Sequence, residues 1–432
     1  GSRILKGIRG KPAADIMAIA DIIQKLSVLV TENPEIVEVD INPVIASERG
    51  AIAVDARMIL GEARRVGETI YSPQEIVSSM KRIFSPRAIA VLGASSDPSK
   101  LGYSTVKNII DGGYKGKIYP INPKADEILG QKCYRSIEEI PDAVDVVVVA
   151  IPAKFVPDEI SKLGEKGITG AVILSSGFAE IGNDELQQEI IARARQHKTR
   201  IMGPNIFGFY YSPANLCATF CTPYTERGAT ALSCQSGGVG MAIIGYSRSN
   251  KMGVSAIVGV GNKCDIDEDD LIEFFGQDPN TSVIAMHIED IKDGAAFIKA
   301  AQKVSRNKPI IALKAGATAV GERAASSHTG ALAGDDNIYS AAFEKAGVVR
   351  VSNLEELLDC ARAFSKMPAP RGENVLIITG AGGLGVLLAD ACDKHDLKLM
   401  TLEKDLDEAF RKFIPPFGAT GNPVDITGGE PP

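Results

Sequence analysis

The sequence predicts a multidomain α/β protein built on parallel sheets with helices on both faces. Three observations predict it. Short apolar strands alternate with amphipathic helical stretches, the pattern of strand–helix–strand units. Each strand runs into a polar turn rich in glycine or proline, and 43 glycines in 432 residues supply such turns. The length exceeds what one hydrophobic core ordinarily serves, so several domains are expected.

Residues 1–61 run from an amphipathic helix over 13–29 into a strand at 36–40, then Asn42-Pro43, then a second strand ending Ala53-Val54-Asp55. Two strands and one helix bury little surface, so this stretch is expected to complete a domain whose start lies outside it. Ser72-Pro73 opens a new unit. Over 72–200, strands are expected at 88–92, 117–121, 144–150 and 170–174, with helices after Gly102, Phe155 and Asp184. The turns that follow those strands are Gly93-Ala94-Ser95-Ser96, Asn122-Pro123-Lys124, Pro152-Ala153-Lys154 and Ser175-Ser176-Gly177. In a parallel sheet these lie at the carboxyl edge and converge on one crevice. The alternation repeats over 201–365, with strands near 230–233, 254–258, 283–287 and 310–313. A proline-containing linker precedes a last unit over 372–432, which opens on Val375-Leu376-Ile377-Ile378-Thr379 and is expected to be incomplete.

With 45 % hydrophobic and 23 % charged residues the chain is globular, and a net charge of −7 gives no general reason to bind nucleic acid or an anionic membrane. Neither partner is expected. Seven cysteines without paired spacing suit reduced thiols in a cytoplasm. No stretch approaches the roughly 18 apolar residues of a membrane span. Gly1-Ser2 reads as a cloning scar.

Four features carry chemistry. Ser326-Ser327-His328-Thr329-Gly330 sets an imidazole in a loop of small polar residues after the strand ending at Leu313, where the ring is free to reach a ligand. Glu289, just past the neighbouring strand, is the natural carboxylate to fix its tautomer, the alternative being a surface ion pair with Lys292. Two glycine-rich turns, Gln235-Ser236-Gly237-Gly238 and Gly380-Ala381-Gly382-Gly383-Leu384-Gly385, each follow an apolar strand and open a helix. Free backbone N–H groups and a positive dipole end there suit an anion. The second also fits the dinucleotide pattern, with Glu403 near the position of a ribose-binding acid, so a nicotinamide oxidoreductase competes. Asn42 and Asp55, at facing ends of adjacent strands, offer oxygen ligands to magnesium, although an asparagine before proline is also an ordinary turn residue.

Together these segments resemble the ADP-forming acyl-CoA synthetases, relatives of succinyl-CoA synthetase, along essentially the whole chain. Glu38-Val39-Asp40-Ile41-Asn42-Pro43 and Asp55-Ala56-Arg57 look like the end of an ATP-grasp domain. Gly93-Ala94-Ser95 with Lys100 and Gly102, and Tyr119-Pro120-Ile121-Asn122-Pro123-Lys124, resemble a Rossmann-like CoA-binding domain. Gly203-Pro204-Asn205 and the Gln235 turn are similar to a flavodoxin-like ligase domain, and Ser327-His328-Thr329-Gly330 with Leu332-Ala333-Gly334 to the phosphohistidine segment.

The resemblance implies CoA across Gly93 to Ser96, Asn122 to Lys124, Ile151 and Pro152, and Ser175 and Ser176, with Lys100 and Lys124 near its phosphates and Asn205 beside it. It implies phosphate at Gln235 to Gly238 and at Gly382 and Gly383, magnesium at Asn42 and Asp55, and His328 with Glu289 as the catalytic pair. The implied reaction forms a short-chain acyl-CoA from acid, CoA and ATP through an acyl phosphate and a phosphohistidine, releasing ADP and phosphate. A homo-oligomer is expected, and the nucleotide-holding part of the ATP-grasp domain would lie outside the chain. A CoA-sensing regulatory module is the third reading.

Overall fold

The computed structural model describes residues 5–7, 12–61, 71–222, 226–318, 320–321 and 336–428. The chain divides into two compact units, Gly1–Ser365 and Lys366–Pro432.

At the start of the first unit, the helix Ile16–Glu32 is capped by Asp15, whose side chain accepts from the Ala18 N–H at 2.9 Å. Strand β1 (Ile36–Ile41) is followed by a hairpin of β2 (Val44–Ser47) and β3 (Gly50–Ala53), and then by β4 (Ala56–Leu60), antiparallel to β1. Four strands thus stand where the sequence suggested two. The extra pairs come from alternation too short to register as separate strands.

The next sheet is wholly parallel. Its strands are β5 (Ala88–Leu92), β6 (Lys117–Ile121), β9 (Val146–Val149), β10 (Gly170–Ile173) and β11 (Arg200–Met202), in the order β11-β10-β9-β5-β6. A small hairpin of β7 (Glu127–Ile128) and β8 (Gln131–Lys132) lies between β6 and β9 in sequence. Every residue of β5, β9 and β10 is buried, which is why they read as unbroken apolar runs.

A second sheet orders β13 (Leu216–Thr219), β12 (Gly208–Tyr211), β15 (Val254–Gly259), β14 (Arg227–Cys234), β16 (Val283–Ile288), β17 (Ile310–Lys314) and β18 (Val349–Val351). Strands β14 to β18 are parallel, while β12 runs antiparallel to both β13 and β15. The parallel parts of both sheets share one winding. The first strand in sequence lies between the second and the third, so each sheet has a switch point, β5/β9 in one and β14/β16 in the other. Ligands bind at the carboxyl ends of strands flanking such points.

The helix Pro73–Phe84 joins the sheets. A capping box between Ser72 and Glu75 starts it, and Ile76, Met80, Ile83 and Phe84 form its buried stripe. Phe84 stacks on Phe274 at 4.9 Å and meets Phe209 and Tyr211, so the ring of a helix leading into one sheet is packed by the strands and helices of the other.

In the second unit, β19 (Asn374–Val375) pairs with β21 (Lys398–Leu399) and β20 (Ile378–Thr379) with β22 (Val424–Asp425), both in parallel. The helix Gly382–Lys394 buries only Gly385 and Cys392. No described helix is long and apolar enough to cross a membrane.

Candidate active site

At the first switch point, Gly93 follows β5 with φ +87°, and a Cβ there would stand 2.4 Å from the Ala150 carbonyl oxygen at the end of β9. Gly102, in the first turn of the helix Leu101–Asp111, would place its Cβ 2.0 Å from the Gly93 carbonyl oxygen. Both glycines are therefore demanded by backbone approach. The Asn122 amide donates to the Ala94 carbonyl at 2.7 Å, and Asn122 Oδ1 accepts from the Lys124 N–H at 2.8 Å, so the turn after β6 is stitched to the turn after β5. A crevice of about 630 Å³ lies over these turns, lined among others by Gly93, Ala94, Ser95, Lys100, Asn122 and Ile151 with Pro152. Ser96 and Lys124 are exposed and do not line it. Two cations that do, Arg135 and Lys162, escaped the sequence reading because neither follows a recognisable turn.

At the second switch point, Gln235 is the fastening residue. Its backbone N–H donates to the His287 carbonyl at 3.2 Å, and its side-chain oxygen accepts from the N–H groups of Glu289 at 2.8 Å and Asp290 at 3.1 Å. Its amide nitrogen donates to the Asp290 carboxylate. Ser236 caps the helix Gly237–Ser249, its hydroxyl accepting from the Val239 N–H. A Cβ built on Gly237 or Gly238 meets nothing within 4 Å, so no protein atom there requires glycine. Glu289 is 8 % exposed, and the register pairs Ile288 with Lys314. The Glu289 segment and the end of β17 therefore stand side by side, as the sequence reading supposed. Lys292 pairs with Asp290 at 2.7 Å rather than with Glu289, because the Asp290 carboxylate lies between two lysines. His328 lies outside the described residues.

The two switch points open into each other. A cavity of about 1460 Å³ is lined by Ile151 and Pro152, Ser175 and Ser176, Asn205, the turn from Gln235 to Gly238, and Glu289. Leu101, Ala150, Ile151 and Pro152 wall both it and the smaller crevice. Asn205, at φ +62°, donates its N–H to the Ser175 carbonyl at 3.0 Å, which holds the loop after β11 against the loop after β10.

The cavity wall is rich in acids. Burial raises Asp290, but Lys263 and Lys292 outweigh it and bring the carboxyl down to about 2. Burial, then Asp270 and Asp267, push Asp269 up to about 8. Folded Asp269 thus holds a proton over the window from about 4 to about 8 in which the unfolded chain has released it, so its contribution to stability is lost as pH rises through 8. The thermal midpoint is expected to fall as pH rises from about 5 to about 8 and to level off above that. Asp269→Asn should flatten that fall and stabilise the chain by about 1–3 kcal/mol at pH 9; a melting series that is equally steep in both proteins would refute the assignment.

Gly382 and Gly383 belong to the other unit. They open the helix Gly382–Lys394, whose N-cap Ala381 offers no side-chain acceptor. A Cβ on Gly382 would stand 2.8 Å from the Asp425 carboxylate, an acid the sequence did not connect to this turn. Asn42 and Asp55 face each other, the Asn42 N–H donating to the Asp55 carbonyl at 3.1 Å, with both residues exposed. Among the described residues no cluster of three or more His, Cys, Asp or Glu could hold a metal. The Asp55 carboxylate and the Asn42 amide are hard oxygen donors of the kind that would suit magnesium.

Four family models match the chain: an ATP-grasp domain over residues 1–60, a CoA-binding domain over 87–212, a succinyl-CoA-ligase-like flavodoxin domain over 227–364 and a ligase-CoA domain over 375–432. The alpha subunit of ADP-forming acetate–CoA ligase I from Pyrococcus furiosus is 48 % identical over 356 residues, covering 81 % of this chain and 77 % of that one. The ADP-forming acetate–CoA ligase of Methanocaldococcus jannaschii is 44 % identical over 82 % of this chain, which spans only 50 % of it. A solved structure from Candidatus Korarchaeum cryptofilum, a dinucleotide-forming acetyl-coenzyme A synthetase in complex with phosphate and ADP, superposes with a TM-score of 0.79. It is 45 % identical, covering 81 % of this chain and 76 % of that one. The nicotinamide reading of the Gly380–Gly385 turn is overturned, since the turn falls inside the ligase-CoA match.

Proposed function

We propose a function from one premise: this chain belongs to the ADP-forming acyl-CoA ligases, the family of its 48 % identical relative. It works as part of an acid–thiol ligase that joins a short acid, acetate foremost, to CoA at the expense of ATP. Family membership sets aside the purely regulatory reading. The observation that carries the proposal is the common wall of Leu101 and Ala150 to Pro152. It lets a ligand lying over the first switch point reach the helix start at the second.

In this reading CoA takes the crevice at Gly93 to Ser95, Lys100 and Asn122, with Ser96 and Lys124 on the exposed rim beyond it, and passes Ile151 and Pro152 toward Ser175, Ser176 and Asn205. Phosphate sits at the turn from Gln235 to Gly238, where the open space above Gly237 and Gly238 is kept for it, and the N–H groups of the first helical turn bind it. Bound phosphate attacks the acyl carbonyl and CoA leaves as thiolate, giving an acyl phosphate. His328 then takes the phosphoryl group, the free acid departs, and the phosphohistidine passes the group to ADP to form ATP; each step is reversible. Glu289 orients His328. Because little bond-making falls to the protein, positioning and charge neutralisation carry the rate.

Gly382 and Gly383 form a second phosphate-binding helix start. Asn42 and Asp55 help hold the magnesium that accompanies the nucleotide, which neutralises phosphate charge when bound. By this reading residues 1–61 close an ATP-grasp domain, 72–200 bind CoA, 201–365 carry the histidine loop, and 372–432 begin a second ligase domain. The enzyme is cytoplasmic and homo-oligomeric.

A panel of short acids assayed with the complete enzyme for CoA- and ATP-dependent thioester formation tests the proposal. Acetate or propionate should support turnover with stoichiometric ADP release; no thioester from any acid would overturn it.

A further inference from the structure

The segment Gly261-Asn262-Lys263, just past β15, is assigned to no step above, yet all three residues line the large cavity. Its backbone is strained for a purpose. Gly261 has φ +53°, and a Cβ there would stand 2.4 Å from the Pro204 carbonyl oxygen and 2.5 Å from that of Asn205. Lys263 is left-handed at φ +48°, a conformation a long side chain rarely adopts. The turn is tied down by the Asn262 N–H donating to the Pro204 carbonyl at 3.0 Å and the Cys264 N–H to the Gly203 carbonyl at 3.0 Å. From this fixed point two side chains leave in different directions.

The Asn262 amide reaches the first sheet. It donates to Glu180 at 2.7 Å and to Gln187 at 2.9 Å. Glu180 in turn accepts from the N–H groups of Gly177 and Phe178, so Asn262 holds the carboxylate that shapes the turn after β10. The Lys263 ammonium goes to the second sheet. It is 3 % exposed and contacts Glu268 at 2.8 Å, Asp267 at 3.3 Å and the Asp290 carboxylate at 3.3 Å, and it also donates to the Asp290 carbonyl. Asp290 is the residue that Gln235 grips, so Lys263 both seats the turn from Gln235 to Gly238 and offsets buried carboxylates beside a pocket meant for an anion.

We infer that Gly261-Asn262-Lys263 is the positioning turn of the site. Asn262 acts through Glu180 on the CoA half, and Lys263 acts through Asp290 and Gln235 on the phosphate half. The inference rests on the function proposed above. It predicts that the two halves can be damaged separately, whereas a turn serving only the fold would damage both in step with stability.

Titration calorimetry of this chain with CoA and with inorganic phosphate provides the test. Asn262→Ala should weaken CoA at least fivefold and leave phosphate within twofold. The pair Lys263→Met with Glu268→Met removes the buried lysine together with its nearest carboxylate, an exchange that apolar side chains tolerate. It should weaken phosphate at least tenfold and leave CoA within twofold. Should that double variant not fold, Asp290→Asn cuts the same link with an isosteric side chain and should give the same selective loss. Lys303→Met, which breaks the remote pair with Glu273, removes a charge outside the cavity lining and should alter neither affinity. The inference is overturned if both ligands weaken together in each variant, or if the Lys263 and Asp290 variants bind phosphate as the parent does. A parent chain that binds neither CoA nor phosphate would instead strike the proposed function, and would show before any variant is made.

Discussion

His328→Asn is expected to abolish phosphate transfer to the protein while sparing the step before it. Given acetyl-CoA and radiolabelled phosphate, the parent chain should acquire an acid-labile, base-stable label, the signature of a phosphoramidate. The variant should acquire about a thousandfold less, because an amide nitrogen carries no nucleophilic lone pair and nothing else replaces an imidazole in that role. Release of free CoA thiol should continue within about twofold in a first turnover, since in the proposed mechanism attack of phosphate on the acyl carbonyl uses the helix start at Ser236 and not the histidine. Loss of both signals would place His328 in the first step instead. An equally labelled variant would remove it from the mechanism.

The parallel sheets were legible because burial on both faces turns β5, β9 and β10 into unbroken apolar runs, and because the turns behind them are rich in glycine, serine and proline. The Gln235 to Gly238 segment could be read as a strand-to-helix turn for the same local reason. Less legible were β11 and β18, three residues each, and the antiparallel β12 and β13, whose partners are chosen by contacts distant in sequence. Asn262 and Lys263 were invisible for another reason. Nothing in their local sequence says that the lysine is buried, or that its carboxylates come from two separate loops, Asp267 with Glu268 and Asp290. Charge pairing across loops leaves no periodic trace; the alternative ion pair of Glu289 with Lys292 does not form, since Lys292 pairs with Asp290.

Two alanine substitutions should separate glycines required by the fold from glycines required by a ligand. Gly93→Ala puts a methyl group 2.4 Å from a backbone oxygen at φ +87°, and neither the end of β9 nor the turn can retreat without breaking sheet pairing. Strain and overpacking together should cost about 3 kcal/mol or more in denaturant unfolding, and the crevice proposed for CoA should be lost with the turn. Gly238→Ala meets no atom within 4 Å, so the folded chain should gain up to about 0.5–1 kcal/mol from better helix propensity. If the space above Gly238 is kept for phosphate, that same methyl group occupies the seat. Phosphate affinity should then fall at least tenfold, about 1.4 kcal/mol, in a protein that is no less stable. Stability and binding moving in opposite directions is the outcome that a glycine kept only for helix packing does not produce. A Gly238→Ala chain that binds phosphate as tightly as its parent would move the anion away from this helix start.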